Sequence, residues 1–180
     1  FYKLIDREIM HALSGKKTYI KLKMNSLSDT RMIDKLYDAS RAGVKIQLLI
    51  RGICSLIPGV KGMSENIEAI SIVDNYLEHS RVYIFGNEEN PEVFISSADF
   101  MTRNLDARVE VTCPIYDEDI KNELINTFNI GWKGNVKARV ISEKLDNKYR
   151  IRGNSPVFRA QFETYNYYSN QIEVIDEEGV

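Results

Sequence analysis

The apolar residues of this 180-residue chain change their spacing repeatedly, from one in every three or four positions to one in every two and back again. A helix buries a stripe of period 3.6 and a half-buried strand alternates, so this pattern predicts helices and strands taken in turn around a sheet. The expected class is α/β, with a mixed, largely parallel sheet flanked by helices. A helix over residues 2–14 ends at Gly15, and Tyr19 to Met24 alternates as a strand. Ser28 and Asp29 can cap a helix carrying Met32, Ile33, Leu36 and Tyr37, which Gly43 would close. Val44 to Ile50 is nearly all apolar, as a strand covered on both faces would be, and Arg51-Gly52 breaks it. Ile67 to Val73, Val82 to Phe85, Val93 to Ser96, Arg108 to Ile115 and Val136 to Ile141 read as further strands, with a single turn at Asn75 to His79. Asp117 opens a helix reaching Gly131 or Gly134, and Ser155-Pro156 starts another with Phe158, Phe162 and Tyr165 as its stripe. Residues 1–170 are expected as one domain and 171–180 as a frayed acidic tail.

Charge narrows the partners. The chain holds 24 basic and 26 acidic residues, 24 − 26 = −2, but five of the acids lie in residues 163–180, which contain no Lys or Arg. Residues 1–162 therefore stand at 24 − 21 = +3. So small an excess argues against nucleic acid as a partner and leaves room for one local anion site. Cys54 and Cys113 are too few and too far apart for a disulfide framework or a paired-cysteine zinc site, and are expected as free thiols in a cytoplasmic protein. No stretch approaches the ~20 apolar residues of a membrane span. The chain opens directly in an amphipathic pattern without Met, so it is expected to be a piece of a longer polypeptide.

Ligands of open α/β sheets bind beyond the carboxyl ends of strands, so polar residues that follow apolar runs are the candidates for chemistry. Lys23-Met24-Asn25-Ser26 is one such place, where the Asn25 amide could bind an anion or simply hold the turn. Arg51-Gly52 is another: a guanidinium grips phosphate as a fork and Gly52 lets backbone approach, although a surface ion pair is the plain alternative. Of the two histidines, His11 lies among polar neighbours on the first helix and is expected at a solvated surface. His79 precedes a strand beside Arg81, where it could attack phosphorus or donate a proton while Arg81 steadies anionic charge. Ser96-Ser97-Ala98-Asp99, followed by Arg103-Asn104, is rich in short hydroxyls and could equally cap a turn.

Taken in order, Leu4-Ile5-Asp6-Arg7-Glu8-Ile9, Leu22-Lys23-Met24-Asn25-Ser26-Leu27, Arg51-Gly52-Ile53-Cys54-Ser55-Leu56-Ile57-Pro58-Gly59, Tyr76-Leu77-Glu78-His79-Ser80-Arg81 and Ser96-Ser97-Ala98-Asp99 resemble the C-terminal domain of polyphosphate kinases, and the likeness continues to about Arg159. The resemblance implies a fold like phospholipase D and reversible transfer of the ATP γ-phosphate to inorganic polyphosphate. It further implies Mg²⁺ held mainly by ATP and other phosphates, and a phosphohistidine in a preceding domain of the same chain. On the same ground Arg51, Arg81, Lys23 and Asn25 are expected to bind ATP or phosphate, His79 to support catalysis, and Ser97 and Asp99 to stand behind them. A homo-oligomer located in the cytoplasm, at most peripheral to the inner membrane, completes the expectation. Two departures stand out. The phospholipase D motif HxKxxxxD meets Arg81 at its Lys place and Gly86 at its Asp place, and Asn75 stands where a basic residue is more usual. A scaffold domain and a phospholipase D-like phosphodiesterase are the rival readings.

Overall fold

The structure, a computed structural model, describes residues 1–178. Its elements follow the alternation of the sequence: α1 (Tyr2–Leu13), β1 (Tyr19–Met24), α2 (Thr30–Arg41), β2 (Lys45–Ile50), β3 (Ile67–Ile72), β4 (Val82–Phe85), β5 (Glu92–Ser96), a π-helical turn at Arg103–Ala107, β6 (Thr112–Ile115), α3 (Glu118–Lys133), β7 (Ala138–Ile141) and α4 (Ala160–Glu178). Asp29 caps α2 by accepting from the Met32 amide at 2.9 Å, and Asp117 caps α3 in the same way. Gly15 and Gly43 leave their helices at φ +73° and +99°, which only glycine adopts without strain.

The seven strands form one sheet in the order β6-β5-β4-β1-β2-β3-β7. The sheet is mixed, as expected, but its parallel part is confined to β1, β2 and β3; the other four pairings are antiparallel. "Largely parallel" is corrected to that extent: α2 carries the chain from β1 to its parallel neighbour β2, whereas α3 joins β6 to β7 at opposite edges of the sheet, each beside an antiparallel neighbour. Alternation along each strand then decides what each face covers. Ile20, Leu22, Met24, Ile46, Leu48 and Ile50 pack with Ile5 of α1 and Met32 and Leu36 of α2. On the opposite face Leu49, Ile70, Ile84 and Val93 meet Phe128 of α3. Removing a fully buried ring such as Phe100 or Phe128 from such a core costs about 3–5 kcal/mol.

Three local readings change. Arg108 to Glu110 alternates like a strand, yet β6 begins at Thr112, where its partner β5 ends at Ser96. No helical turn forms at 75–79. α4 begins at Ala160 rather than Ser155, because Asn135 holds residues 156–158 extended, donating to the Pro156 carbonyl at 2.8 Å and accepting from the Phe158 amide at 2.9 Å. Its buried face accordingly carries Ala160 and Gln161, while Phe162 and Tyr165 are exposed. Residues 171–178, expected as part of a frayed tail, continue α4, and residues 179–180 lie outside the described residues.

Candidate active site

Because β4 and β6 run antiparallel to their neighbours, β1, β2, β3 and β5 end where β4 and β6 begin. That edge gathers residues far apart in sequence into an open cleft lined by Asn25, Ser26, Arg51, Gly52, His79, Arg81, Ser97, Asp99, Arg103, Asn104, Arg108 and Glu110. Four arginines face two carboxylates there, so the cleft is an anion site by charge.

Asp99 is its hub. The residue is 6% exposed and accepts from the Asn25 backbone amide at 2.8 Å and from Arg81 Nε and Nη2, both at 3.2 Å. Burial alone raises its carboxyl, but the hydrogen bonds from Arg81 and the Asn25 amide outweigh burial and hold it below the ordinary aspartate value. The Asn25 side chain, also buried, donates to Asp99 and turns its oxygen to Arg51 Nε at 2.6 Å. Asn25 is therefore not a free anion ligand as the sequence suggested. It fixes Arg51 by the Nε edge, which leaves both terminal nitrogens of the guanidinium as a fork toward the cleft. Gly52 makes the arrangement possible: its amide donates to the Asn25 carbonyl at 2.8 Å, and a Cβ there would stand 2.8 Å from that oxygen.

Arg81 is held inside the protein. Beyond Asp99 it donates through Nη1 to the His79 carbonyl at 2.9 Å and contacts His79 Nδ1 at 3.1 Å. A guanidinium only donates, so Nδ1 is the acceptor and the ring proton sits on Nε2. His79 is exposed and presents that N–H outward. Ser97 donates to Glu110, which also accepts from Asn104 Nδ2 at 2.6 Å, so Ser97 braces the wall.

The structure thus brings together Asn25, Arg51, His79, Arg81, Ser97 and Asp99 and leaves one expected ligand out. Lys23 pairs with Glu78 and lines, together with Arg51, a small cavity of about 30 Å³ rather than the open cleft, so the expected ligand is corrected to a part-buried ion pair. Arg108 and Glu110 were missed because their alternation reads as strand. His11 is 15% exposed, not solvated, with Nε2 3.5 Å from Glu88. The Gly86 departure has a physical reason: a Cβ there would lie 2.9 Å from the Tyr19 ring and 3.0 Å from the Tyr19 backbone nitrogen, so the acid of the HxKxxxxD motif has no room. Asn75 likewise accepts from Arg159 at 3.0 Å, a place where a basic residue would meet like charge.

Known proteins resemble the chain in both sequence and fold. A family model described as polyphosphate kinase C-terminal domain 2 matches residues 1–161. The polyphosphate kinase of Vibrio cholerae is 53% identical over 169 residues, 94% of this chain. The crystal structure of polyphosphate kinase from Porphyromonas gingivalis aligns with a TM-score of 0.93 at 44% identity, covering 96% of this chain and 26% of that one. Nuc of Salmonella typhimurium, a phospholipase D family member, aligns over 75% of this chain and 89% of its own at a TM-score of 0.54 and 16% identity, which shows a shared fold alone. The chain spans 24% of the length of the Vibrio relative.

Proposed function

The chain belongs to the polyphosphate kinase family through its C-terminal domain, and on that premise we propose that it supplies the phosphate-gripping half of a cytoplasmic enzyme that moves the ATP γ-phosphate to and from inorganic polyphosphate. In this reading the phosphoryl group passes through a histidine in a preceding part of the polypeptide, and this domain faces it across the cleft. Transfer of a phosphoryl group asks for positioning and for neutralisation of charge on the non-bridging oxygens. Arg51 serves that need with its two terminal nitrogens, which have no hydrogen-bond partner among the described residues. His79 acts with it, donating Nε2–H to a leaving or bridging oxygen, while Asp99 keeps Arg81 and Asn25 in place.

Mg²⁺ enters with the nucleotide in this proposal. The two carboxylates of the cleft are taken, Asp99 by Arg81 and Asn25 and Glu110 by Ser97 and Asn104. Among the described residues no three His, Cys, Asp or Glu side chains cluster as metal ligands. The cleft does not fit a protein-built site for the ion, and no step of this chain's residues is routed through it. No helix of the described residues is long and apolar enough to cross a membrane.

The observation that carries the proposal is the Arg51 fork, held from behind by Asn25 and open in front. Its test is transfer of labelled γ-phosphate to polymer by the full-length enzyme. Arg51→Ala should lower kcat/KM about 10- to 150-fold, the scale of a lost charge-assisted contact. A folded Arg51→Ala enzyme with the wild-type value would reduce Arg51 to a structural partner of Asn25 and leave the domain a scaffold.

A further inference from the structure

Residues 73–80 carry His79 to the cleft, yet among the described residues no backbone-to-backbone hydrogen bond ties any of them to the rest of the chain. The sheet ladder stops at Ile72 and resumes at Val82. What holds the segment is a set of side chains: Arg81 and Lys23 contribute at His79 and Glu78, and most of the bonds come from Arg159 and Gln161 at the start of α4. Arg159 grips Asp74 through two nitrogens, at 2.9 and 2.6 Å. Two residues on, the Gln161 amide treats Tyr76 as a neighbouring strand would: it accepts from the Tyr76 N–H at 2.9 Å and donates to the Tyr76 carbonyl at 2.8 Å. The same Nε2 donates to Glu78 at 3.0 Å, and Glu78 pairs through its other oxygen with Lys23 of β1.

Gln161 is 9% exposed, so these bonds are made largely out of water, where an amide without partners is expensive. They also explain Glu78: burial raises its carboxyl, but Lys23 and Gln161 outweigh burial and hold it below the ordinary glutamate value. One side chain thus satisfies both backbone groups of Tyr76 and orients the carboxylate adjacent to His79 in sequence. A hook of this kind fixes where the segment runs, and with it where the His79 ring stands.

We propose that Gln161 is a positioning residue for His79, setting the segment 73–80 so that the imidazole reaches the reacting phosphate. The proposal rests on the functional reading of His79 given above, and the experiment separates the two. In the full-length enzyme, labelled phosphate transfer is measured over a range of ATP concentrations for wild type, Gln161→Glu, Gln161→Leu, His79→Ala and the double variant Gln161→Glu/His79→Ala. Hydrogen exchange at the Tyr76 amide is followed alongside. Glutamate keeps the size of the side chain and its acceptor for Tyr76 N–H but loses the donor and faces Glu78 with like charge; leucine removes the hook without adding charge.

Gln161→Glu should lower kcat about tenfold with the KM for ATP changed by less than about twofold, because the segment is misplaced rather than the nucleotide site lost. The Tyr76 amide should exchange about tenfold faster. In the His79→Ala background the same substitution should cost nothing further, since its effect passes through the histidine. Wild-type kcat in both single Gln161 variants overturns the proposal. So does an equal loss with and without His79, which marks general damage to the fold, a judgement the near-isosteric glutamate permits even if the leucine variant unfolds. Wild-type turnover in His79→Ala overturns the functional reading itself, whatever the Gln161 variants do.

Discussion

Replacing Asp99 by Asn tests the hub of the cleft with a change of one atom. Asparagine keeps an oxygen to accept from the Asn25 amide, now at 2.8 Å, so the loss falls on Arg81: its Nε bond to the same oxygen at 3.2 Å gives up its charge, and its Nη2, which donates to the other oxygen at 3.2 Å, is left facing an NH₂ group. A hydrogen bond to a charged group contributes roughly 1.5–3 kcal/mol, and stripping a buried ion of its partner costs about 3–5 kcal/mol. The Arg81 side chain is only 12% exposed, but the cleft beside it is open and its bond to the His79 carbonyl survives. The lower end of those ranges applies, about 2 kcal/mol, which lowers the melting temperature of a chain of this size by about 4–8 °C. Acid should erase the difference. The Asp99 carboxyl lies below its ordinary value in the fold. Its stabilisation is therefore complete above the unfolded-state value of about 4, and is lost as pH falls through the folded one. Urea unfolding of wild type and Asp99→Asn should differ by about 2 kcal/mol at neutral pH and converge in acid, as pH falls through the lowered folded-state value of Asp99. A gap under about 0.5 kcal/mol at neutral pH, or one that persists undiminished in acid, would refute the assignment of Asp99 as the charge anchor.

In the full-length enzyme His79→Ala should reduce phosphate transfer by on the order of 10²-fold, whereas His11→Ala should leave it unchanged; matched melting curves separate lost chemistry from lost fold. Gly52→Ala drives a Cβ to 2.8 Å from the Asn25 carbonyl and should destabilise the chain by about 1–3 kcal/mol while loosening Arg51, read as a lower urea midpoint together with a lower kcat/KM. A maleimide probe near neutral pH should label exposed Cys113 quickly and Cys54 slowly, because burial pushes the Cys54 thiol up to about 11; equal rates would contradict that burial.

Strands and helices were legible where the pattern of burial is local. β1 and β4 were read at their observed bounds, and Asp29 and Asp117 cap where a short acceptor before an apolar stripe says they should. The site was legible in its strand-end residues, Arg51, His79 and Asp99, since strand ends are where a sheet exposes polar groups. What could not be read is set by contacts between distant segments. Lys23 was assigned to the cleft because it lies two residues before Asn25 at the end of a strand, and no local spacing records that Glu78, 55 residues on, takes up its charge. Arg108 and Glu110 look like strand residues, and only the short reach of β5 frees them to line a cleft. Gln161 sits in a helix whose stripe suggested burial of Phe162, and no local spacing records that its amide pairs with Tyr76.

The closeness of Gly86 to Tyr19 bears on which changes the sheet accepts one at a time. The backbone nitrogen of residue 19 lies 3.0 Å from where a Cβ would be, so no change of side chain at 19 alone clears the space. Placing an acid at 86 asks β4 and β1 to give way against each other, across Gly86's own amide bond to the Tyr19 carbonyl at 2.8 Å. Exposed side chains on the rim of the cleft, His79 among them, can change one at a time; position 86 changes only together with the strand beside it.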